Sequence, residues 1–135
     1  MRGKRIQTFY KEMYNLMKQE DISNTILNTY PDSLKEGGET YVVVELPYSL
    51  RNIDISDFDV MNSYAKFSFF AKDRILNTTR VPNIIPLEDM IDKFRGLFPF
   101  KGDGYSLMTP RVVILPKKAD AHYHYAVVNV PIVFY

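Results

Sequence analysis

The stretch from residue 122 to residue 135, HYHYAVVNVPIVFY, most constrains what this chain can fold into. Its β-branched and aromatic residues are typical of a β-strand, in which neighbouring side chains point to opposite faces. Both alternating rows are apolar. One row holds Ala126, Val128, Val130, Ile132 and Phe134, and the other holds Tyr125, Val127, Val133 and Tyr135 around Asn129 and Pro131. We therefore expect an integral strand that is covered on both faces.

Two amphipathic helices are predicted upstream of this strand. Residues Ile6, Phe9, Tyr10, Met13, Leu16 and Met17 recur at helical spacing. A second stripe, expected to begin its helix at Pro86 and to end before Pro99, holds Leu87, Met90, Ile91, Phe94, Leu97 and Phe98. Each stripe needs an apolar surface to cover it.

Strands are predicted over residues 40–48, 64–73 and 105–116, with an interrupted strand over 51–60. A short helical turn is expected over 22–27, and residues 74–85 are expected to be a connector. Residues 105–116 and the last strand should form an antiparallel hairpin. In the strand over 64–73, Ala65, Phe67, Phe69 and Ala71 share one face.

A chain of 135 residues is one domain by the usual length range, so residues 1–135 are expected to form a single domain. Two apolar helical stripes and several strands fit one layered arrangement. The predicted fold class is α+β, with a single antiparallel or mixed β-sheet and two helices packed on one face.

Composition excludes several classes of protein. The chain has no cysteine, which rules out disulfides, thiolate nucleophiles and cysteine-ligated zinc, and is compatible with an intracellular protein. Its net charge of +1 gives no global attraction to nucleic acid or anionic membranes. The basic N-terminal segment lacks the features of a signal peptide, and no stretch is long and apolar enough to span a bilayer.

The pair His122 and His124 is the first candidate for a site. Residues two apart on a strand point the same way, so both imidazoles could reach one metal ion. No third histidine exists, and Asp120 lies in the predicted turn. The interpretation we favour is that both histidines lie at the rim of the sheet, and we expect replacement of both by glutamine to leave stability nearly unchanged.

No catalytic or cofactor motif is recognisable in the sequence. There is no GxSxG, and neither phosphate-binding glycine pattern occurs. The segment KGDGYS is predicted to be a turn. Glu88, Asp89 and Asp92 are predicted to form a solvated helix face near the helix N-terminus. We therefore expect no catalytic residues, no cofactor-binding residues and no metal ligands.

Two groups of basic residues are candidates for contacts with phosphate. Arg2, Lys4 and Arg5 are expected to form an arm ahead of the first helix, and Lys117 and Lys118 to lie at a hairpin tip. The second row of the last strand, Tyr125, Val127, Val133 and Tyr135, is the candidate subunit interface. Two helices can cover only one face of a sheet, and tyrosine is favoured at interfaces.

The order of these segments resembles that of the tail terminator and head–tail joining proteins of long-tailed bacteriophages. The resemblance runs over most of the chain, from IQTFYKEMYNLMK through NTYPDSLKEGGETYVVVELPYS, YAKFSFFAKD and PLEDMIDKFRGLF to AVVNVPIVFY. It is one of size, order and strand style, without a diagnostic motif. The connector RILNTTRVPNIIP is long for this pattern.

This resemblance implies a structural protein of the virion neck or tail, assembled in the host cytoplasm, rather than an enzyme. It implies a homo-oligomeric ring such as a hexamer, with the tail tube and connector proteins as partners. The basic residues would then contact DNA in the channel non-specifically. The alternative is a small bacterial domain whose exposed sheet face binds a ligand or a protein. A third hypothesis is an enzyme that uses His122 or His124.

Overall fold

The computed structural model describes residues 2–23, 26–27, 39–46, 61–118 and 122–134. The interrupted strand predicted over 51–60 and Tyr135 lie outside these residues. The described elements are α1 Arg2–Gln19, β1 Ile26–Leu27, β2 Thr40–Glu45, β3 Met61–Lys72, β4 Arg74–Leu76, β5 Thr79–Val81, α2 Ile84–Arg95, β6 Phe100–Lys101, β7 Tyr105–Leu107, β8 Val112–Lys118 and β9 Tyr123–Phe134.

Strands β3 and β9 form the centre of the main sheet. They pair antiparallel along their whole length, from Met61 opposite Phe134 to Lys72 opposite Tyr123. On the far side of β3 lies β2, antiparallel, with the short β1 parallel to it. The edge of β9 that faces away from β3 pairs with β8 along the first half of β9 and with β7 at the end of β9. Strand β6 pairs with the outer edge of β7.

Both helices cover the same face of this sheet. Phe9, Met13 and Met17 of α1 belong to one buried core with Leu87, Met90 and Phe94 of α2. The sheet contributes Val42, Val44, Ala65, Phe67, Phe69, Ala71, Val128, Val130, Ile132 and Phe134 to that core. The predicted α+β class, with a mixed, mostly antiparallel sheet and two helices on one face, is confirmed.

The end of α1 is fixed by backbone bonds that the local sequence permits. Asp21 adopts a left-handed conformation with φ of 54°, which aspartate tolerates better than most residues. The N–H of Asp21 donates to the carbonyl of Lys18, and the N–H of Ile22 donates to that of Met17. This is the Schellman arrangement, and it buries Ile22 beside Met17 and turns the chain towards the sheet.

Several predicted elements differ from the structure. Ile26–Leu27 is a strand rather than part of a helical turn, because its backbone pairs with β2. The predicted connector contains the hairpin β4–β5. The predicted strand 105–116 is two strands, β7 and β8, since the segment through Pro110 leaves the regular ladder with β9.

Helix α2 also has different ends from those predicted. It begins at Ile84, two residues before Pro86, and ends at Arg95, with Gly96 as its C-cap. Glu88 and Asp89 therefore lie beyond the first turn, which holds no acidic residue. The predicted apolar stripe nevertheless packs as expected, because Leu87, Met90 and Phe94 are all buried.

Candidate functional site

The face of the main sheet that turns away from the helices, here called the second face, divides into two halves. Its covered half holds a small aromatic core in which Phe70 and Tyr125 stack at 5.1 Å and Tyr41 meets Tyr123 edge-on at 5.5 Å. The buried residues of this half are Tyr41, Val43, Ser68, Phe70, Tyr123 and Val127. The chain therefore buries this half without a second subunit.

The accessible half of the second face is more polar and more open. It comprises Glu45, Tyr64, Lys66, Asn129, Pro131 and Val133, none of which is buried. Tyr64 is 49% exposed and lies opposite Pro131, and the ammonium group of Lys66 lies 4.0 Å from the Glu45 carboxylate. Apolar surface flanked by an ion pair and an exposed tyrosine is the composition expected at the edge of a protein interface.

The four predicted interface residues are distributed over both halves. Val127 is only 6% exposed, so the chain's own structure already covers it. Tyr125 and Val133 are half-buried, and Tyr135 lies outside the described residues. Val133, opposite Asn62 on one side and Ser106 on the other, is the described member of the set that belongs to the accessible half.

The predicted basic residues lie within regular elements rather than in an arm and a loop. Arg2, Lys4 and Arg5 belong to the first turn of α1, which holds no acidic residue. Lys117 and Lys118 are the last residues of β8 and pair with Tyr125 and His124. The first group is therefore part of a helix, and the second is part of a strand.

The two histidines do not act as an equivalent pair at the rim. His124 continues the helix-facing row of β9, opposite Ala71, and its Nδ1 lies 2.6 Å from the Asp73 carboxylate. The Asp73 side chain is 1% exposed and the His124 side chain 14%. His122 contributes its backbone carbonyl, which accepts a hydrogen bond from the N–H of Asp73. In the part of the chain described, no three histidine, aspartate or glutamate side chains cluster as metal ligands.

A second buried titratable group is Tyr105, on β7. Burial raises the pKa of its phenol well above the ordinary value of 10.0, and the Glu12 carboxylate, by hydrogen bonding and by charge, raises this pKa further. Glu12 also accepts a hydrogen bond from the N–H of Asp103, at 3.2 Å. The predicted turn KGDGYS thus joins β6 to β7 and is held against α1.

Sequence reasoning missed one exposed feature, the β4–β5 hairpin. Ile75 is 63% exposed and Leu76 is 56% exposed. A two-residue connection, Asn77-Thr78, joins the strands, and Asn77 has φ of 58°, a conformation that asparagine adopts readily. The signal in the sequence was this asparagine between two short runs of β-forming residues.

Comparison of the chain with protein-family models, with curated proteins and with solved structures finds no match. Among the described helices, none is both long and apolar enough to cross a membrane.

Proposed function

We propose that this chain is a structural ring subunit of a bacteriophage neck or tail, in particular a tail terminator that joins the tail tube to the head connector. The observation that carries the proposal is the accessible half of the second face. The helices cover one side of the sheet, and Val133, Pro131 and Tyr64 lie on the other side with part of their surface open. Such a face can receive a neighbouring subunit without any rearrangement of the core.

The charges of this half fit a lateral contact between identical subunits. Lys66 and Glu45 are only partly exposed and already pair with each other, so a neighbour meets no unpaired charge from them. Burying a paired charge at the rim costs less than burying an isolated one. Val133 itself lies between the uncharged residues Asn62 and Ser106, and an apolar contact flanked by polar residues is the usual anatomy of a specific interface.

The first turn of α1 supports a contact with DNA in the channel of the ring. A helix N-terminus carries partial positive charge, so Arg2, Lys4 and Arg5 there do not stabilise the helix through its dipole. A polyanion beside them would offset the repulsion. Phosphate contacts of this kind are independent of base sequence, as a channel for duplex DNA requires.

The test is to examine the purified chain, alone and with tail tubes assembled from the tube protein of the same genome. Native mass spectrometry gives the number of subunits, and negative-stain electron microscopy shows whether rings form and where they bind. We expect rings at one end of the tubes. A chain that remains monomeric and leaves the tube ends bare would overturn the proposal and favour a small binding domain that uses the same sheet face.

A further inference from the structure

The β4–β5 hairpin is exposed along almost its whole length, and only its last residue, Val81, is half-buried. Every residue from Arg74 to Arg80 is exposed, and in the described chain the two strands pair only with each other. Ile75 and Leu76 are neighbours on β4, so they project from opposite faces of the hairpin. A two-stranded hairpin is only marginally stable by itself in water. Docking against another surface would remove its exposed apolar side chains from water and stabilise it.

The hairpin is also positively charged. It carries Arg74 and Arg80 and no acidic residue between positions 74 and 81. The register places Arg80 opposite Ile75, while Arg74 shares the other face with Leu76. Each face of the hairpin therefore presents one large apolar side chain beside one arginine.

The start of α2 presents the complementary surface. Ile84 is 40% exposed and Ile85 is 69% exposed, and the acidic residues Glu88, Asp89 and Asp92 are exposed beside them. Ile85 and Asp89 are four residues apart, as are Ile84 and Glu88, so each pair lies on one side of the helix. This surface again combines large apolar side chains with charge, but the charge is negative.

We infer that the hairpin of one copy of this chain docks against the start of α2 of a second copy. The hairpin face that carries Ile75 and Arg80 then meets the side of α2 that carries Ile85 and Asp89. Arg74 and Glu88 add to the opposite charges of the two surfaces. Both surfaces belong to the same chain, yet the folded chain leaves both exposed, so they do not satisfy each other within one molecule. Opposite charge across such a contact steers association and sets which surfaces pair.

The contact joins two different surfaces of the chain. When each copy offers its hairpin to one neighbour and its α2 to another, the contact continues from copy to copy and can close into a ring. In this respect the inference rests on the proposed function, for which it supplies a lateral contact in addition to the accessible half of the second face.

Two charge-reversed variants test the contact. The first carries Arg74→Glu and Arg80→Glu, and the second carries Glu88→Arg and Asp89→Arg. Each variant alone opposes like charges, so we expect its self-association, measured by sedimentation over a concentration series, to weaken by about 100-fold. In an equimolar mixture each altered surface meets its complement, and we expect association to return, with alternating copies of the two variants.

Circular dichroism checks that both variants fold, as expected for exposed positions. If either pair of changes unfolds the chain, Ile75→Ser and Ile85→Ser each alter one exposed side chain, and each should weaken self-association by about tenfold.

Three results would overturn the inference. These are a wild-type chain that stays monomeric at every concentration, reversed variants that associate like the wild type, and variants that stay monomeric when mixed. Binding of the chain to the ends of tail tubes is observed separately, by electron microscopy, for the wild type and for every variant. If the chain still binds the tube ends and the charge reversals do not change its self-association, the hairpin contact is wrong and the proposed function stands. If the wild-type chain does not bind the tube ends, the proposed function itself is wrong.

Discussion

The Nδ1 atom of His124 lies 2.6 Å from Oδ1 of Asp73, which ties the last strand to the residue that separates β3 from the β4–β5 hairpin. The N–H of Asp73 donates to the carbonyl of His122 at 2.7 Å, so side chain and backbone hold the same junction. The carboxylate is almost fully buried, and a buried carboxylate requires hydrogen-bond donors. The pair therefore fixes where the hairpin leaves the sheet.

We predict that His124→Ala lowers the free energy of unfolding by about 1–3 kcal/mol, because the buried Asp73 carboxylate loses a hydrogen-bond donor. Urea unfolding at pH 7 measures the loss. The control is His122→Ala, which keeps the backbone bond to Asp73 and should cost less. This expectation replaces the one drawn from the sequence, that both histidines are dispensable for stability. Equal, small losses in the two variants would show that the pair contributes little.

The second prediction compares two glycines. A Cβ atom added at Gly102 would lie 2.1 Å from the ring of Tyr105, which is buried and cannot move freely. We expect Gly102→Ala to cost about 1–3 kcal/mol, as overpacking does. At Gly96, φ is −70° and the nearest atom to an added Cβ is 3.5 Å away, so Gly96→Ala should be neutral or slightly stabilising. Thermal unfolding of both variants gives the comparison.

The third prediction concerns alkaline pH. The pKa of Tyr105 is raised in the folded chain by burial first and by Glu12 second, so the unfolded chain loses this proton at lower pH than the folded chain. The stabilising effect of the neutral phenol is complete below pH 10 and is lost as the pH rises above it. Stability should fall by about 1.4 kcal/mol per pH unit from this group.

Replacing Tyr105 by phenylalanine should remove that part of the decline. The free energy of unfolding is measured at pH 8 and at pH 11 for the wild type and for Tyr105→Phe. The fall between the two pH values should be larger in the wild type, and the excess is the contribution of the Tyr105 phenol. Parallel declines in the two proteins would mean that the phenol ionises as readily in the folded chain as in the unfolded one.

Periodicity in the sequence predicted the parts of the fold that depend on burial. The stripe containing Phe94 packs against the sheet, with its ring 4.6 Å from that of Phe67, and the alternation of β3 and β9 assigns their core residues correctly. These signals are strong because one wrong phase would expose a whole row of apolar side chains.

The features that the sequence did not predict depend on partners distant along the chain. Ile26 is a strand residue only because Val42 lies beside it. The buried pair of Asp73 and His124 could not be predicted, because the two residues lie 51 positions apart in the sequence and nothing near Asp73 indicates that His124 will contact it. The β4–β5 hairpin has no buried face, so hydrophobic alternation could not reveal it. The division of the second face likewise depends on what covers Val127 in three dimensions.

The last prediction tests the interface through two valines on the same face of β9. Val127 is buried within the chain, whereas Val133 is only half-buried and lies in the accessible half. A carboxylate at position 127 would be desolvated in the isolated subunit, so Val127→Asp should unfold the chain or lower its stability severely.

At position 133 a carboxylate can keep contact with water until a neighbouring subunit covers it. We therefore predict that Val133→Asp folds, with the circular dichroism spectrum of the wild type, but no longer enters rings or caps tail tubes in electron micrographs. The control Val133→Thr keeps the shape of the side chain and adds a hydroxyl group but no charge. Burying a hydroxyl costs far less than burying a carboxylate, so this variant should assemble. An unfolded Val133→Asp would assign this part of the face to the chain's own core. A folded Val133→Asp that still assembles would show that the subunits meet elsewhere, and the accessible half would then no longer support the proposed ring.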